Sequence, residues 1–179
     1  MIPSNRIYVI IKIYYKFHLK MYIATTRFND TTINENIAFK QKYQIKGVLY
    51  PCPMAINPKL PLGVSIIVIE MNNSRNEIMG ISFIRNKCIF NIKNVYSHTT
   101  FNRYVYMGKY FVSRDTLLNI DKDLVYQLDM ILFKGRSHQK RLQGITLIRE
   151  KLLNDERLKG RNISVDLKRI IGNIYNIDL

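Results

Sequence analysis

Four cations and a histidine fall within eight residues at Lys134-Gly-Arg-Ser-His-Gln-Lys-Arg141. Cationic groups this dense repel one another unless an anion joins them, and phosphate suits both ammonium and guanidinium. The glycine invites a loop or helix end, so Lys134, Arg136, Lys140 and Arg141 read either as phosphate contacts or as a solvated charged loop. A second pattern interleaves rings with charge in Asn102-Arg-Tyr-Val-Tyr-Met-Gly-Lys-Tyr110. Extended, this stretch puts Tyr104, Tyr106, Gly108 and Tyr110 on one face and Arg103 and Lys109 on the other. If exposed, the tyrosines form a stacking platform, each base–ring contact being worth ~1–3 kcal/mol. If buried, the same stripe is an aromatic core, and only Arg103 and Lys109 face outward.

Catalytic patterns are sparse. His18, His98 and His138 lie far apart, and no His-Glu-x-x-His, Walker loop, Gly-x-Ser-x-Gly or Gly-x-Gly-x-x-Gly occurs. A thiol–imidazole pair from Cys52 or Cys88 with His98 needs only proximity in space. Asp115, Asp121, Asp123 and Asp129 would suit a metal-dependent nuclease, but Asp121 and Asp123, two apart on a helix, point in different directions. Helix capping explains them more simply. The expectation is therefore a protein that binds without catalysing, with no cofactor and no metal.

The whole chain carries the same electrostatic message. Its 179 residues hold 28 Lys and Arg against 13 Asp and Glu, a net charge of +15, with 47% hydrophobic residues, 12 Tyr, 8 Phe and no Trp. Such a field favours polyanions, and the apolar content excludes a disordered basic tail. Heavy use of Ile, Asn, Lys and Tyr also fits an AT-rich genome, which accounts for part of the lysine. The densest stretch, 134–169, has eleven cations and four acids. Two cysteines are too few for a disulfide scaffold and fit a reducing compartment, cytoplasmic or nuclear. The apolar run Ile7–Tyr15 is too short to span a bilayer and lacks a cleavage signature.

The elements that must position these residues read as follows. Residues 1–20 form an extension or extra strand, 21–112 a β-rich body, and 113–179 a helical basic extension packed on it. Tyr22–Arg27 is a strand, Asn29-Asp30 supplies cap types, and a helix covers Thr32–Lys42. Gly47–Tyr50 is a short strand stopped by Pro51, and a proline-rich loop runs to Pro61. Val64–Met71 and Glu77–Ile84 form a hairpin about the polar turn Asn72–Asn76, and the unbroken apolarity of its first strand implies burial on both faces. Strands follow at Lys87–Lys93 and Arg103–Val112, where Gly108 marks a bulge or close approach. Ser113 or Asp115 caps a helical region through Phe133, with further helices over Ile145–Leu158 and Ser164–Tyr175. Together these make one α+β unit.

The order strand, capped helix, Gly-Val-Leu-Tyr strand, proline loop, then Leu62-Gly-Val-Ser-Ile-Ile-Val-Ile-Glu-Met-Asn-Asn and Asn76-Glu-Ile-Met-Gly-Ile-Ser-Phe-Ile resembles the PUA-like pseudobarrels, in their EVE and YTH branch. The resemblance covers residues 21–112 and implies a small, mostly antiparallel β-barrel. It also implies RNA or a modified nucleotide as ligand, in a pocket at the barrel's mouth. By position it transfers Thr25, Asn29 and Asn36 as pocket polar groups. The tryptophan cage of the methyladenosine readers has no counterpart here, so a ring box would have to use Tyr or Phe. Codon usage and the C-terminal half also resemble uncharacterised proteins of large DNA viruses. The expected function is non-catalytic binding of RNA or DNA. The alternative is an assembly role in a virion or large ribonucleoprotein, with protein partners.

Overall fold

The computed structural model describes residues 21–179, so the expectation for 1–20 lies outside the described residues. The architecture is α+β. A five-stranded sheet runs in the order β6-β4-β3-β1-β7, from β1 (Tyr22–Phe28), β3 (Ser65–Asn72), β4 (Glu77–Arg85), β6 (Tyr110–Ser113) and β7 (Thr146–Leu147). The pair β1–β3 is parallel and the others antiparallel. A second, two-stranded sheet joins β2 (Val48–Cys52) to β5 (Tyr104–Gly108). The helices are α1 (Asp30–Lys42), α2 (Arg114–Ile120), α3 (Lys122–Phe133), the one-turn α4 (Glu150–Leu153) and α5 (Ile163–Tyr175). Among the described residues, no helix is long and apolar enough to cross a membrane.

The continuous apolarity of β3 has a direct cause: all eight of its residues are buried, because the sheet divides two cores. Ile67, Ile69 and Met71 meet Leu124, Leu128, Leu132, Leu167 and Ile171 of the helical layer. Ile66 and Val68, pointing the opposite way by strand alternation, meet Val48, Leu49, Val105 and Tyr106 of the small sheet. At ~1.5–3 kcal/mol for each fully buried aliphatic side chain, this double burial outweighs any local preference.

The segment 104–113 ties the sheets together. Its first half pairs with β2 and its second half with β4, the switch falling at Lys109. A Cβ on Gly108 would lie 2.2 Å from the Phe83 carbonyl oxygen, so only glycine permits this crossing. As hydrogen-bonded, the five-stranded sheet stays open, with β6 and β7 at opposite edges.

Several local expectations hold. The hairpin turns at residues 73–76, Asn29 caps α1, and Ser113 caps α2. Others do not. Lys87–Lys93 forms no strand: only Ile89 bridges to Val105, and Phe90 is 76% exposed. Ile145–Leu158 is not one helix, because the free edge of β1 draws Thr146 and Leu147 into β7 and leaves a single α-helical turn behind them. The strand β2 runs through Pro51 to Cys52, which the lone neighbour of a two-stranded sheet tolerates.

Two side chains pin the hairpin to the helices. Asp129 accepts the Ile78 amide at 2.7 Å, and Arg114 bonds Asp129 at 2.7 Å and the Ile78 carbonyl at 3.0 Å. A polar cluster interrupts the second core around Tyr50. The Tyr50 hydroxyl donates to Glu70 Oε1 at 2.5 Å and lies 2.6 Å from Ser82 Oγ. Burial pushes the Glu70 carboxyl up to about 7, with the Tyr50 hydrogen bond and the Lys40 charge opposing it.

Glu70 titrates higher folded than unfolded, so the folded protein holds its proton more tightly and stability falls as pH rises through about 4–7. Relative to Glu70→Gln, the natural protein should lose on the order of 2–3 kcal/mol between about pH 5 and about pH 7.5. Denaturant melts at the two pH values read this directly, and parallel curves would remove Glu70 as the titrating group. Tyr106 is 2% exposed and its hydroxyl accepts the Ile56 amide at 3.0 Å. Tyr106→Ala should cost about 3–5 kcal/mol in the same assay, and Tyr106→Phe about 1–2 kcal/mol. A loss below about 1 kcal/mol for Tyr106→Ala would contradict its place in the core.

Candidate functional site

A cavity of about 180 Å³ opens where β1 ends, α1 begins and β2 runs out. Strand alternation aims Thr26 and Phe28 at it from one face of β1. Tyr50 lies beneath, Pro51 and Pro53 form a rigid side, and Tyr96 and Phe101 stand opposite. Tyr96 is held by Asn102, whose Oδ1 accepts its amide at 2.9 Å, and by Asn36, whose Nδ2 donates to its hydroxyl at 3.3 Å. Burial pushes the Tyr96 hydroxyl's pKa well up, so it stays a neutral phenol. Its ring meets that of Phe101 edge-on at 6.4 Å, and Phe101 in turn stacks on His98 at 4.7 Å. The N-terminus of α1 closes the rim with a capping box, in which Asn29 Oδ1 accepts the Thr32 amide at 2.9 Å and Thr32 Oγ1 accepts the Asn29 amide at 3.0 Å.

The last wall comes from the loop between α3 and β7. It starts on the helical side of the sheet, where Thr25 donates to Gln139 Oε1 at 2.8 Å. It then passes round the end of β1, contributes Gln143 and Gly144 to the cavity, and enters β7 along the edge of β1. At its crest the Lys140 carbonyl accepts Arg27 Nη1 at 2.7 Å and Asn73 Nδ2 at 2.9 Å, both donors belonging to residues that also line the cavity. Lys140 Nζ donates to Asn76, and Arg149 donates to the Ser137 and His138 carbonyls.

The structure therefore sorts the sequence candidates. Lys134, Arg136 and Arg141 project into solvent from this loop, and Lys140 sits half-buried at its crest. Of the other seven cations of 134–169, three are paired with carboxylates. Arg157 pairs with Asp155 at 2.6 Å, Arg161 with Asp121 at 2.6 Å and Asp166 at 3.3 Å, and Arg169 with Asp166 at 3.5 Å. Asn29 lines the cavity, whereas Thr25 bonds Gln139 on the opposite side of β1. Asn36 is buried behind the cavity, its amide spent on the Leu49 carbonyl at 2.8 Å and on Tyr96.

The stacking platform is corrected. Tyr106 is core, Tyr104 is half-buried against the same cluster, and Tyr110 packs on Phe83 and Tyr175 with centroids 6.4 and 4.7 Å away. The cause is the crossing at Gly108, which turns the tyrosine face inward on both sheets. Arg103 is exposed two residues beyond Phe101. Lys109 lies at the far end of β2 from the cavity, its carbonyl against Gly47 and its ammonium 5.5 Å from the Tyr110 ring centroid.

Cys52, Asp121 and Asp129, named above for other chemistries, have the following surroundings. Burial pushes the Cys52 thiol up to about 12, which keeps it protonated. Asp121 and Asp129 are committed to Arg161 and Arg114. Among the described residues, no group of three or more His, Cys, Asp or Glu side chains is placed to hold a metal ion.

Sequence reasoning missed Phe28, Tyr50, Tyr96, Phe101, Arg27 and Asn73. A usable signal existed for two of them: Tyr96 and Phe101 are large rings within the otherwise polar stretch 96–103. Compared with models of protein families, with curated proteins and with solved structures, the chain matches none of them.

Proposed function

We propose that the chain is a non-catalytic nucleic-acid-binding protein that takes one unpaired base into the cavity and engages the adjoining phosphates with Lys134, Arg136, Lys140 and Arg141. One observation carries this reading. The loop that bears those cations supplies, three residues beyond Lys140, a wall of the ring-lined cavity. A volume of about 180 Å³ lies below the ~300–1,000 Å³ of drug-sized ligand pockets, which suits a single planar group. Phe28, Tyr50, Tyr96 and Phe101 offer apolar surface, while Thr26, Asn29 and Gln143 offer hydrogen bonds to a base edge. A base enters such a cavity only when unpaired or flipped, so the ligand is single-stranded or locally open.

The PUA-like reading of the body belongs to the same proposal. The parallel β1–β3 pair and the crossing of 104–113 from the small sheet to β4 support it, since they wrap two sheets around one core as a pseudobarrel would. Arg103, next to the Phe101 wall, is an auxiliary phosphate contact.

Binding of labelled oligonucleotides, followed by anisotropy over a range of salt, tests the reading. The double substitution Lys140→Ala/Arg141→Ala should weaken binding to all sequences and lower the log–log salt slope by about 1 or more. Phe101→Ala should cost single strands about 1–2 kcal/mol and duplexes less. Weak, length-dependent binding that salt abolishes and neither change alters would point instead to an assembly role.

A further inference from the structure

The loop over 134–145 joins α3 to β7 without regular secondary structure, although it carries four cations that repel one another. Its order comes from where its carbonyls point. Those of Ser137 and His138 accept Arg149, and that of Lys140 accepts both Arg27 and Asn73. The gripping side chains come from three separate places: the end of β1, the β3–β4 turn and the second residue after β7. Arg27, Arg149 and Arg157, the last through the Lys134 carbonyl at 3.4 Å, thus hold the carbonyl side of the loop, while Lys134, Arg136 and Arg141 face solvent. Arg27 and Asn73 meet at one oxygen and also line the cavity, so one cluster fixes both the cavity wall and the crest of the loop.

Resting on the nucleic-acid reading above, we propose that Arg27 and Asn73 are positioning residues: through the Lys140 carbonyl they hold the cationic loop in register with the cavity, so that base and phosphate are read as one preformed unit. The ligand this selects is a strand whose unpaired base directly adjoins the phosphates that the loop contacts. Preforming the loop removes the ordering cost that a free cationic loop would meet on binding. It also makes the salt dependence of binding a property of the clasp as well as of the cations.

Asn73 allows a clean test because it bears no charge. Replacing it can change the salt slope only through cations that it positions. Asn73→Ala should lower the slope for a single-stranded oligonucleotide by about 1, as Lys140→Ala/Arg141→Ala does. Adding that double substitution to Asn73→Ala should cost about threefold less in affinity than it does in the natural protein. Amide exchange over 137–144 should quicken while the melting temperature holds. Asn73→Ser, whose side chain also suits a turn, repeats the comparison if the alanine variant melts early. An unchanged slope with fully additive losses overturns the positioning role and leaves the nucleic-acid reading intact. Natural protein that binds no oligonucleotide at all overturns that reading itself.

Discussion

Burial of β3 and β1 on both faces is the constraint from which the other features follow. A strand with Ile66, Ile67, Val68 and Ile69 in succession cannot leave either side to water, so the chain must supply two layers. The helical layer comes from α2 to α5, and the opposite layer from α1 and the small sheet. The end of β1 is the place where the α1 terminus, the end of β2 and the loop before β7 converge. The cavity lies there.

The crossing strand enforces that arrangement. Close approach of backbone at Gly47, Gly108 and Phe83 lets residues 104–113 pass from one sheet to the other without a break. The tyrosine stripe is thereby spent on packing, and the rings that line the cavity come from other segments. Tyr50 shows the economy of the result: its ring lies beneath the cavity while its hydroxyl satisfies Glu70 in the core.

Electrostatics is divided in a similar way. A chain of net charge +15 has to keep its cations from destabilising the compact state. Arg114, Arg157 and Arg161 meet carboxylates, Arg27 and Arg149 meet carbonyls, and Arg157 also donates to the Met130 carbonyl at the end of α3. What remains in solvent on the cavity loop is Lys134, Arg136 and Arg141.

Features governed by neighbours a few residues apart were legible in the sequence. The Asn29 and Ser113 caps, the 73–76 turn and the double burial of β3 depend on local hydrogen bonds or on strand periodicity, which residue types report. The failures share the opposite property. Residues 87–93 alternate as a strand should but find no second edge to pair with, and 145–147 leave a helical pattern because β1 offers them one. The sequence by itself thus determined the α+β class, most of its elements and the charge. Only the tertiary structure decided which rings were buried, which cations were neutralised, and that Arg27 and Asn73 should meet Lys140 across 113 and 67 residues. Such contacts are chosen by competition among all layers for the same surfaces, and no local pattern encodes the outcome of that competition.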